Sequence, residues 1–195
     1  MKIKDILLFE NQLSEEELAI MNSARDYCQK ELMPRIIDAN RNEIFDKGIY
    51  KEMGEMGFLG APINGYGCAG TNYVSYGLIA REIERVDSSY RSAYSVQTSL
   101  AMHSINKFGS DDHKDYYLPQ MAKGELIGCF GLTEPDAGSD PSSMKTCSVE
   151  KDDGYILNGS KTWITNSPIA DVLIIWAKDE QGVLRGFIVD RSSKG

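Results

Sequence analysis

The residues best suited to chemistry lie in one segment of the chain, between positions 129 and 143. An apolar run ends there in Thr133, Glu134 and Pro135, and small residues, hydroxyl groups, carboxylates and Gly138 follow. A loop of this composition presents free backbone N–H groups, which bind anionic or polar ligands. We therefore predict a ligand-binding loop at the end of a buried strand.

A second group of polar side chains lies on one face of a predicted helix. Four of them recur at helical spacing: Arg91, Tyr94, Ser95 and Thr98. A packed helix would normally carry aliphatic side chains at such positions. The pattern fits a polar ligand pocket with one fixed positive charge, and it also fits a helix crossing at which the arginine extends to solvent.

The elements before residue 128 are predicted to be helices. Ser14 and Glu17 form a capping box at the start of the first helix, and Pro34 is expected to end it or to start the next turn. Further helices are expected at about 46–56, 71–86, 89–108 and 110–123.

The loop between the second and third helices contains a G-x-G-x-x-G match at Gly65, Gly67 and Gly70. A dinucleotide-binding fingerprint requires an apolar strand immediately before it, within a βαβ unit. Here Pro62 and a predicted helix precede the glycines, so we interpret the match as an ordinary loop.

The remainder of the chain is predicted to form short strands separated by turns, including a turn at 152–154. Strands are expected at about 127–133, 147–150, 155–157, 161–165, 172–177 and 184–189. The fold class is therefore α+β, with an all-α helical domain at 1–127 followed by a partial antiparallel β-barrel domain at 128–195. The barrel is expected to be incomplete, since no closing strand precedes residue 195.

Composition excludes several classes of function. The 195 residues carry a net charge of −8, which argues against nucleic acid as the main partner. No apolar run reaches the roughly 18–20 residues of a membrane span, and the first residues resemble no secretory signal. Four scattered cysteines and two distant histidines predict free thiols and no metal site.

These motifs resemble the flavin-dependent acyl-CoA dehydrogenase family. Two segments carry the resemblance, 131–140 and 163–166, which are separated by a predicted hairpin. Further segments resemble the glutaryl-CoA dehydrogenase subgroup: 39–43, 65–70, 84–87, 90–93 and 140–144. The resemblance extends from about residue 11 to the end of the chain.

The resemblance implies FAD as cofactor and an acyl-CoA, glutaryl-CoA in particular, as substrate. The implied FAD contacts are Phe130, Gly131, Leu132, Thr133, Gly138, Ser139, Trp163, Ile164 and Thr165. The implied acyl-CoA contacts are Arg91, Ser92, Ser95 and Ser139. Arg91 would hold the distal carboxylate of glutaryl-CoA, a task for which a planar guanidinium is well suited.

The implied reaction is oxidative decarboxylation of glutaryl-CoA to crotonyl-CoA in lysine and tryptophan degradation. A base removes the α-proton, and the β-hydrogen leaves as hydride to the flavin, which electron-transferring flavoprotein reoxidises. In this family the base is a glutamate in a C-terminal helical bundle, which this chain is expected to lack. No catalytic residue is therefore assigned, and the chain is expected to be inactive alone.

Several alternatives stay open at this point. The enzyme could be a non-decarboxylating or another short-chain acyl-CoA dehydrogenase, or its bundle could be encoded separately. The chain could instead be a non-catalytic module that binds FAD or acyl-CoA. Relatives suggest a homotetramer, and the expected location is the bacterial cytoplasm, with the mitochondrial matrix as the alternative.

Overall fold

The first helix begins where the sequence predicts. In the computed structural model, which describes residues 7–152 and 154–194, helix α1 spans Glu15–Tyr27. The Glu17 N–H donates to Ser14 Oγ at 3.3 Å, and the Ser14 N–H donates to the Glu17 carboxylate at 2.8 Å. This reciprocal capping box satisfies two N–H groups that would otherwise lack partners at the helix end.

Of the two roles expected for Pro34, the structure shows the second, the start of a new helical turn. A π-helical segment, Cys28–Leu32, leads directly from α1 into helix α2, Met33–Arg41. Pro34 lies in the first turn of α2, where its ring fits the backbone and its missing N–H removes little of the hydrogen-bond ladder.

The other predicted helices are present with bounds shifted by a few residues. They are α3 (Gly48–Glu55), α4 (Tyr73–Glu84), α5 (Ser88–Ser95), α6 (His103–Phe108) and α7 (Asp111–Ala122). A π-helical segment, Val96–Met102, joins α5 to α6, so one continuous helix runs from 88 to 108. Its buried side chains form the centre of the hydrophobic core, together with residues of α1, α3, α4 and α7.

The strands form one sheet after residue 127. They are β1 (Gly128–Gly131), β2 (Cys147–Lys151), β3 (Gly154–Asn158), β4 (Val172–Lys178) and β5 (Leu184–Asp190). The order is β1-β4-β2-β3, with β5 also paired to β4. A helical part followed by strands is confirmed, whereas the division into two domains at residue 127 stays a prediction.

The sheet is mixed, so the expectation of an antiparallel sheet needs correction. β4 is antiparallel to β5 but parallel to β1, from Gly128 opposite Val172 to Gly131 opposite Ile175. The connection between β1 and β4 is long and contains the β2–β3 hairpin. It brings the chain back in its original direction, which a tight turn cannot do.

The predicted strand at 161–165 is also wrong, because these residues form a loop. Trp163 has a φ of 58° and Asn166 a φ of 70°, values that no pleated strand accommodates. The segment contains side chains that favour strands, but contacts with other segments impose a loop conformation on its backbone.

Close packing joins the helices to β1. The Gln97 carboxamide donates to the carbonyls of Met121 (3.2 Å) and Leu126 (2.9 Å) and accepts the Gly128 N–H at 2.7 Å. A Cβ atom at Gly128 would lie only 2.6 Å from the Ala101 Cβ. Glycine is therefore required where the helix passes over the strand.

In the part of the chain that the structure describes, no helix is long and apolar enough to cross a bilayer. The same residues contain no group of three or more His, Cys, Asp or Glu side chains arranged to hold a metal ion. All four cysteines carry free thiols.

Candidate functional site

The two loop segments singled out in the sequence lie side by side. The Thr162 N–H donates to the Thr133 carbonyl at 2.9 Å, which places the residues after β1 next to the segment that contains Trp163. The two residues are about thirty positions apart in the chain, and neither lies in a strand. A single surface thus combines hydroxyl groups, backbone donors and an indole ring.

Glu134 holds the first loop in shape. Its side chain is 5% exposed and forms an ion pair with the Lys161 ammonium at 2.8 Å. The Lys145 N–H (2.6 Å), the Thr146 N–H (2.9 Å) and the Thr146 hydroxyl also donate to this carboxylate. Burial would raise the pKa of Glu134, but these charged and neutral donors together lower it to about 2.

The tip of the same loop is open. Gly138 and Ser139 are exposed, and among the described residues, apart from the two chain neighbours, no atom lies within 4 Å of the position a Gly138 Cβ would occupy. Asp140 then begins a short turn by accepting the Ser142 N–H at 3.1 Å. The tip is therefore free to contact a ligand, while its base is fixed by Glu134.

Trp163 projects into solvent from the second loop. Its side chain is 90% exposed, although its φ of 58° is unusual for a bulky residue. Strained backbone conformations persist when the surrounding structure enforces them, and they cluster at functional sites. Ile164 and Thr165 beside it are partly buried.

Asn166 anchors this second loop to both neighbouring elements. Its side-chain amide donates to the Gly128 carbonyl of β1 at 3.1 Å and to the Ala93 carbonyl of α5 at 3.4 Å. The residue is 8% exposed, so water competes little for these bonds. Helix α5, strand β1 and the Trp163 loop consequently meet at one side chain.

A cavity of about 390 Å³ lies at this junction. Its lining residues are Phe45, Ser89, Ser92, Ala93, Thr165, Asn166, Pro168 and Ile169. The Ser92 and Thr165 hydroxyl oxygens are 3.3 Å apart across it. The structure thus brings together one predicted substrate residue and one predicted cofactor residue.

The predicted polar face of helix α5 divides into two environments. Arg91 remains at the surface, where its side chain is 39% exposed and pairs with Glu84 at 2.6 Å. Hydrogen bonds from Ser88 and Arg91 lower the pKa of Glu84. Arg91 does not line the 390 Å³ cavity.

Tyr94 and Thr98 belong to the core instead. Tyr94 is fully buried and stacks on Tyr76 with ring centroids 5.5 Å apart, and burial raises its pKa well above the ordinary value. Thr98 Oγ1 accepts the Gly60 N–H at 3.2 Å. Of the four residues on this face, only Arg91 and the partly buried Ser95 stay accessible.

On the strand side, Phe130 and Leu132 are partly buried and Gly131 is buried. Phe130 makes an edge-to-face contact with Trp176 of β4, with ring centroids 6.0 Å apart. A Cβ at Gly131 would lie 2.6 Å from the Ile175 Cδ1, so the glycine permits close pairing with β4. These residues form the surface on which the Thr133 loop lies.

Three residues that organise the site have no role predicted from the sequence: Gln97, Lys161 and Asn166. Asn166 stands within the resembling segment 163–166, and Lys161 lies two positions before Trp163, so proximity to a motif was the only signal. The hydrogen-bond partners named above are 24 to 73 positions away, a relation that no local pattern contains.

Chemically, the arrangement suits a flat, polar ring system. Trp163 offers an exposed indole ring, and the same two loops carry the hydroxyl groups of Thr133 and Thr165. Such a surface can hold a ring flat and donate hydrogen bonds to its heteroatoms.

Sequence profiles of known families match both parts of the chain. The profile described as "Acyl-CoA dehydrogenase, N-terminal domain" matches residues 14–125, and that described as "Acyl-CoA dehydrogenase, middle domain" matches residues 129–195.

Among curated proteins, an acyl-CoA dehydrogenase of Bacillus subtilis is 36% identical over 188 residues, covering 94% of this chain and 50% of the relative. The mitochondrial isovaleryl-CoA dehydrogenase of Pongo abelii is also 36% identical, covering 95% of this chain and 46% of the relative. The chain spans about half the length of these relatives.

Solved structures give the same result. A glutaryl-CoA dehydrogenase from Mycobacterium smegmatis superposes with a TM-score of 0.95 at 45% identity, covering 98% of this chain and 49% of that one. A structure of a glutaryl-CoA dehydrogenase from the same organism in complex with FADH2 gives 0.93 at 43% identity, with coverage of 95% and 48%. A chain in a structure described as the electron transferring flavoprotein of Acidaminococcus fermentans gives 0.87 at 37% identity, with coverage of 92% and 49%.

Proposed function

Since the chain belongs to the acyl-CoA dehydrogenase family, we propose that it forms the flavin-edge half of the site of an FAD-dependent oxidoreductase acting on the CH–CH bond of an acyl-CoA. The observation that carries this proposal is the Thr162–Thr133 hydrogen bond, which joins the two loops beside the exposed Trp163. Bound FAD would accept the hydride that leaves the substrate β-carbon.

The residues of the two loops have distinct roles in this proposal. Trp163 and Ile164 cover one side of the flavin ring, while Thr133 and Thr165 donate hydrogen bonds to its heteroatoms. Phe130, Gly131 and Leu132 form the surface beside the ring. Gly138 and Ser139, at the open loop tip, contact the flavin, and Ser139 also reaches the acyl-CoA.

We propose glutaryl-CoA as the substrate. Arg91, Ser92 and Ser95 lie on α5, which Ser92 joins to Thr165 of the Trp163 loop. Arg91 already binds one carboxylate, that of Glu84, at 2.6 Å. A distal substrate carboxylate would take up the same guanidinium, either replacing Glu84 or sharing it. The M. smegmatis glutaryl-CoA dehydrogenases are more similar to this chain than the curated isovaleryl-CoA relative is.

The proposed reaction is oxidation followed by decarboxylation to crotonyl-CoA, in the degradation of lysine and tryptophan. An enzyme that retains the carboxylate would release glutaconyl-CoA instead, and a short-chain substrate would need no carboxylate partner. Measuring carbon dioxide release from labelled glutaryl-CoA by the enzyme distinguishes the first two outcomes.

The proposed electron acceptor is electron-transferring flavoprotein, and the proposed assembly is a homotetramer. The A. fermentans structure supports the first, since a structure described as that electron transferring flavoprotein contains a chain of this fold. Bacterial and mitochondrial relatives support the bacterial cytoplasm or the mitochondrial matrix as the location.

Titration of the purified chain with FAD tests the central proposal. We expect flavin fluorescence to be quenched in a saturable way by the wild-type chain. This quenching should be lost in Trp163→Gly. Binding that is undetectable in wild type, or unchanged in the variant, would contradict it.

A second candidate function is a module that binds FAD and acyl-CoA without turnover. The Glu134 carboxylate favours it, because its ion pair with Lys161 and its backbone donors lower its pKa to about 2, so it is a poor proton acceptor. Saturable binding of both ligands without reduction of the flavin by glutaryl-CoA would select this function over the first.

A further inference from the structure

Lys161 lies beneath the Thr133 loop, which follows β1, rather than in it. Its side chain is 10% exposed, and its ammonium group donates to the Leu132 carbonyl at 3.0 Å and to the Glu134 carboxylate at 2.8 Å. The pair with Glu134 compensates the buried charge. The bond to the Leu132 backbone carbonyl satisfies a second N–H of the ammonium and fixes that carbonyl in place.

The bond to the Leu132 carbonyl determines the direction of the N–H in the same peptide group, which is the Thr133 N–H. The peptide bonds described in this structure are trans, and in a planar trans peptide the C=O and N–H groups point in opposite directions. Because the Leu132 carbonyl faces Lys161, the Thr133 N–H faces away from the buried cluster. Within residues 7–152 and 154–194, this N–H meets no acceptor.

The next peptide along the chain, Thr133–Glu134, is held as well. The Thr133 carbonyl accepts the Thr162 N–H at 2.9 Å, so the backbone of Thr133 cannot rotate independently of the second loop. The result is one immobilised amide with an open donor, located between the two loops assigned to the flavin.

A cation on the carbonyl also changes the strength of that donor. Hydrogen bonds polarise one another along a peptide, and a charged donor in a buried setting polarises more strongly than a neutral one. The ammonium group of Lys161 withdraws electron density from the Leu132–Thr133 amide and makes its N–H a better donor to a ligand that carries negative charge.

We infer that Lys161 is a positioning residue for flavin binding: it orients and polarises the Leu132–Thr133 peptide so that the Thr133 N–H donates to the flavin ring. This inference rests on the proposed function. The donor is worth most when the ring is reduced and carries negative charge, so Lys161 favours the reduced cofactor.

The test compares three variants of the chain. Lys161→Met combined with Glu134→Gln removes the cation and its counter-charge together, so that no uncompensated buried charge disturbs folding. Lys161→Arg keeps a cation at the same place. Lys145→Met is the matched control, since Lys145 lies in the same loop but is exposed and pairs with the exposed Asp136 at 2.8 Å.

Three measurements decide the inference: the FAD dissociation constant, the midpoint potential of the bound flavin, and the amide resonance of Thr133 in the flavin-free chain. The double variant is expected to bind FAD about tenfold more weakly, to have a more negative potential and to show a shifted Thr133 resonance. Lys161→Arg is expected to restore most of the potential, and Lys145→Met to match wild type.

Wild-type values of all three quantities in the double variant would overturn the inference. Weaker binding with an unchanged potential and an unmoved Thr133 resonance would also overturn it, since a purely structural role of Lys161 predicts that result. Failure of wild type to bind FAD would count against the proposed function, while the Thr133 resonance would still show whether Lys161 orients the peptide.

Discussion

Two ion pairs flank the candidate site, and they differ in their surroundings. Glu134–Lys161 is almost fully buried and further satisfied by backbone donors, whereas both side chains of Arg91–Glu84 are about two-fifths exposed. A buried and fully hydrogen-bonded pair resists exchange with water or ligands. A half-exposed pair contributes little to stability and leaves its arginine available to another carboxylate.

Replacing Glu134 with glutamine should change how stability depends on pH. The pKa of Glu134 is about 2 in the folded chain against an ordinary value of 4.5. A carboxyl group with a depressed pKa stabilises the fold above its unfolded pKa, and this contribution disappears as the pH falls through the folded pKa. Urea unfolding should therefore show wild type losing stability between about pH 4.5 and pH 2 through this group, and Glu134→Gln lacking that component.

At neutral pH the same variant should be less stable by about 3 kcal/mol, because Lys161 is left buried without its counter-charge. Asp136→Asn is the control, since the Asp136–Lys145 pair is exposed and should cost little. Equal effects of the two variants would show that burial of Glu134 does not matter.

Replacing Arg91 with alanine should separate the substrates. Loss of the guanidinium is expected to weaken binding of glutaryl-CoA by about 2 kcal/mol, roughly 30-fold, and to leave butyryl-CoA unaffected. Isothermal titration with both thioesters measures the difference. Arg185→Ala, which removes an exposed arginine paired with Asp179, controls for general charge effects. Equal losses for both ligands would refute the proposed carboxylate contact.

Replacing Trp163 with glycine should abolish FAD binding without unfolding the chain. A side chain that is 90% exposed contributes little packing, and glycine accepts the φ of 58° without strain. Stability in urea should stay within about 1 kcal/mol of wild type. Trp176→Ala offers the contrast, because Trp176 packs against Phe130 and its loss should lower stability by several times that amount.

At the scale of elements, the site depends on the junction of α5, β1 and the 161–166 loop. Gly128 stands at its centre: Gln97 binds its N–H and Asn166 binds its carbonyl. Helix and strand approach so closely that no side chain fits between them. Their separation determines the distance between the residues assigned to substrate and to cofactor.

Replacing Gly128 with alanine should therefore destabilise the fold by about 1–3 kcal/mol, since its Cβ would lie 2.6 Å from the Ala101 Cβ and 2.7 Å from the Met121 Cε. Gly77→Ala on α4 is the matched control. In the described part of the chain no atom outside its own helix backbone and its chain neighbours lies within 4 Å of a Cβ there, and alanine favours the helix. Thermal unfolding of both variants should give shifts of opposite sign, and a Gly128→Ala protein as stable as wild type would contradict the packing argument.

At the scale of the whole molecule, the chain matches two consecutive domains of one family while spanning about half the length of its relatives. Its site combines one helix, one strand and two loops from both parts of the sequence. Ligand binding should consequently stabilise the fold as a unit rather than a single loop.

Thermal unfolding should thus respond to FAD and to substrate. A ligand that binds only the folded chain stabilises it by about 2.7 kcal/mol at a concentration one hundred times its dissociation constant. The melting temperature is expected to rise with FAD concentration, and to rise further with glutaryl-CoA than with butyryl-CoA. A melting temperature that is independent of FAD would argue against cofactor binding.

The sequence by itself determined the features that depend on neighbouring residues. The Ser14 capping box, the bounds of most helices and the composition of the 129–143 loop follow from local hydrogen bonding and periodicity, and the motifs around Thr133 and Trp163 indicated the family. These interactions join residues only a few positions apart, so the features can be predicted without a structure.

The tertiary structure alone decided what depends on distant partners. It placed Tyr94 in the core and Arg91 at the surface, although both lie on one predicted helix face. It also turned the expected strand at 161–165 into a loop, and it placed Lys161 against Leu132. Each outcome results from contacts between segments far apart in the chain, whose free energies outweigh local preference.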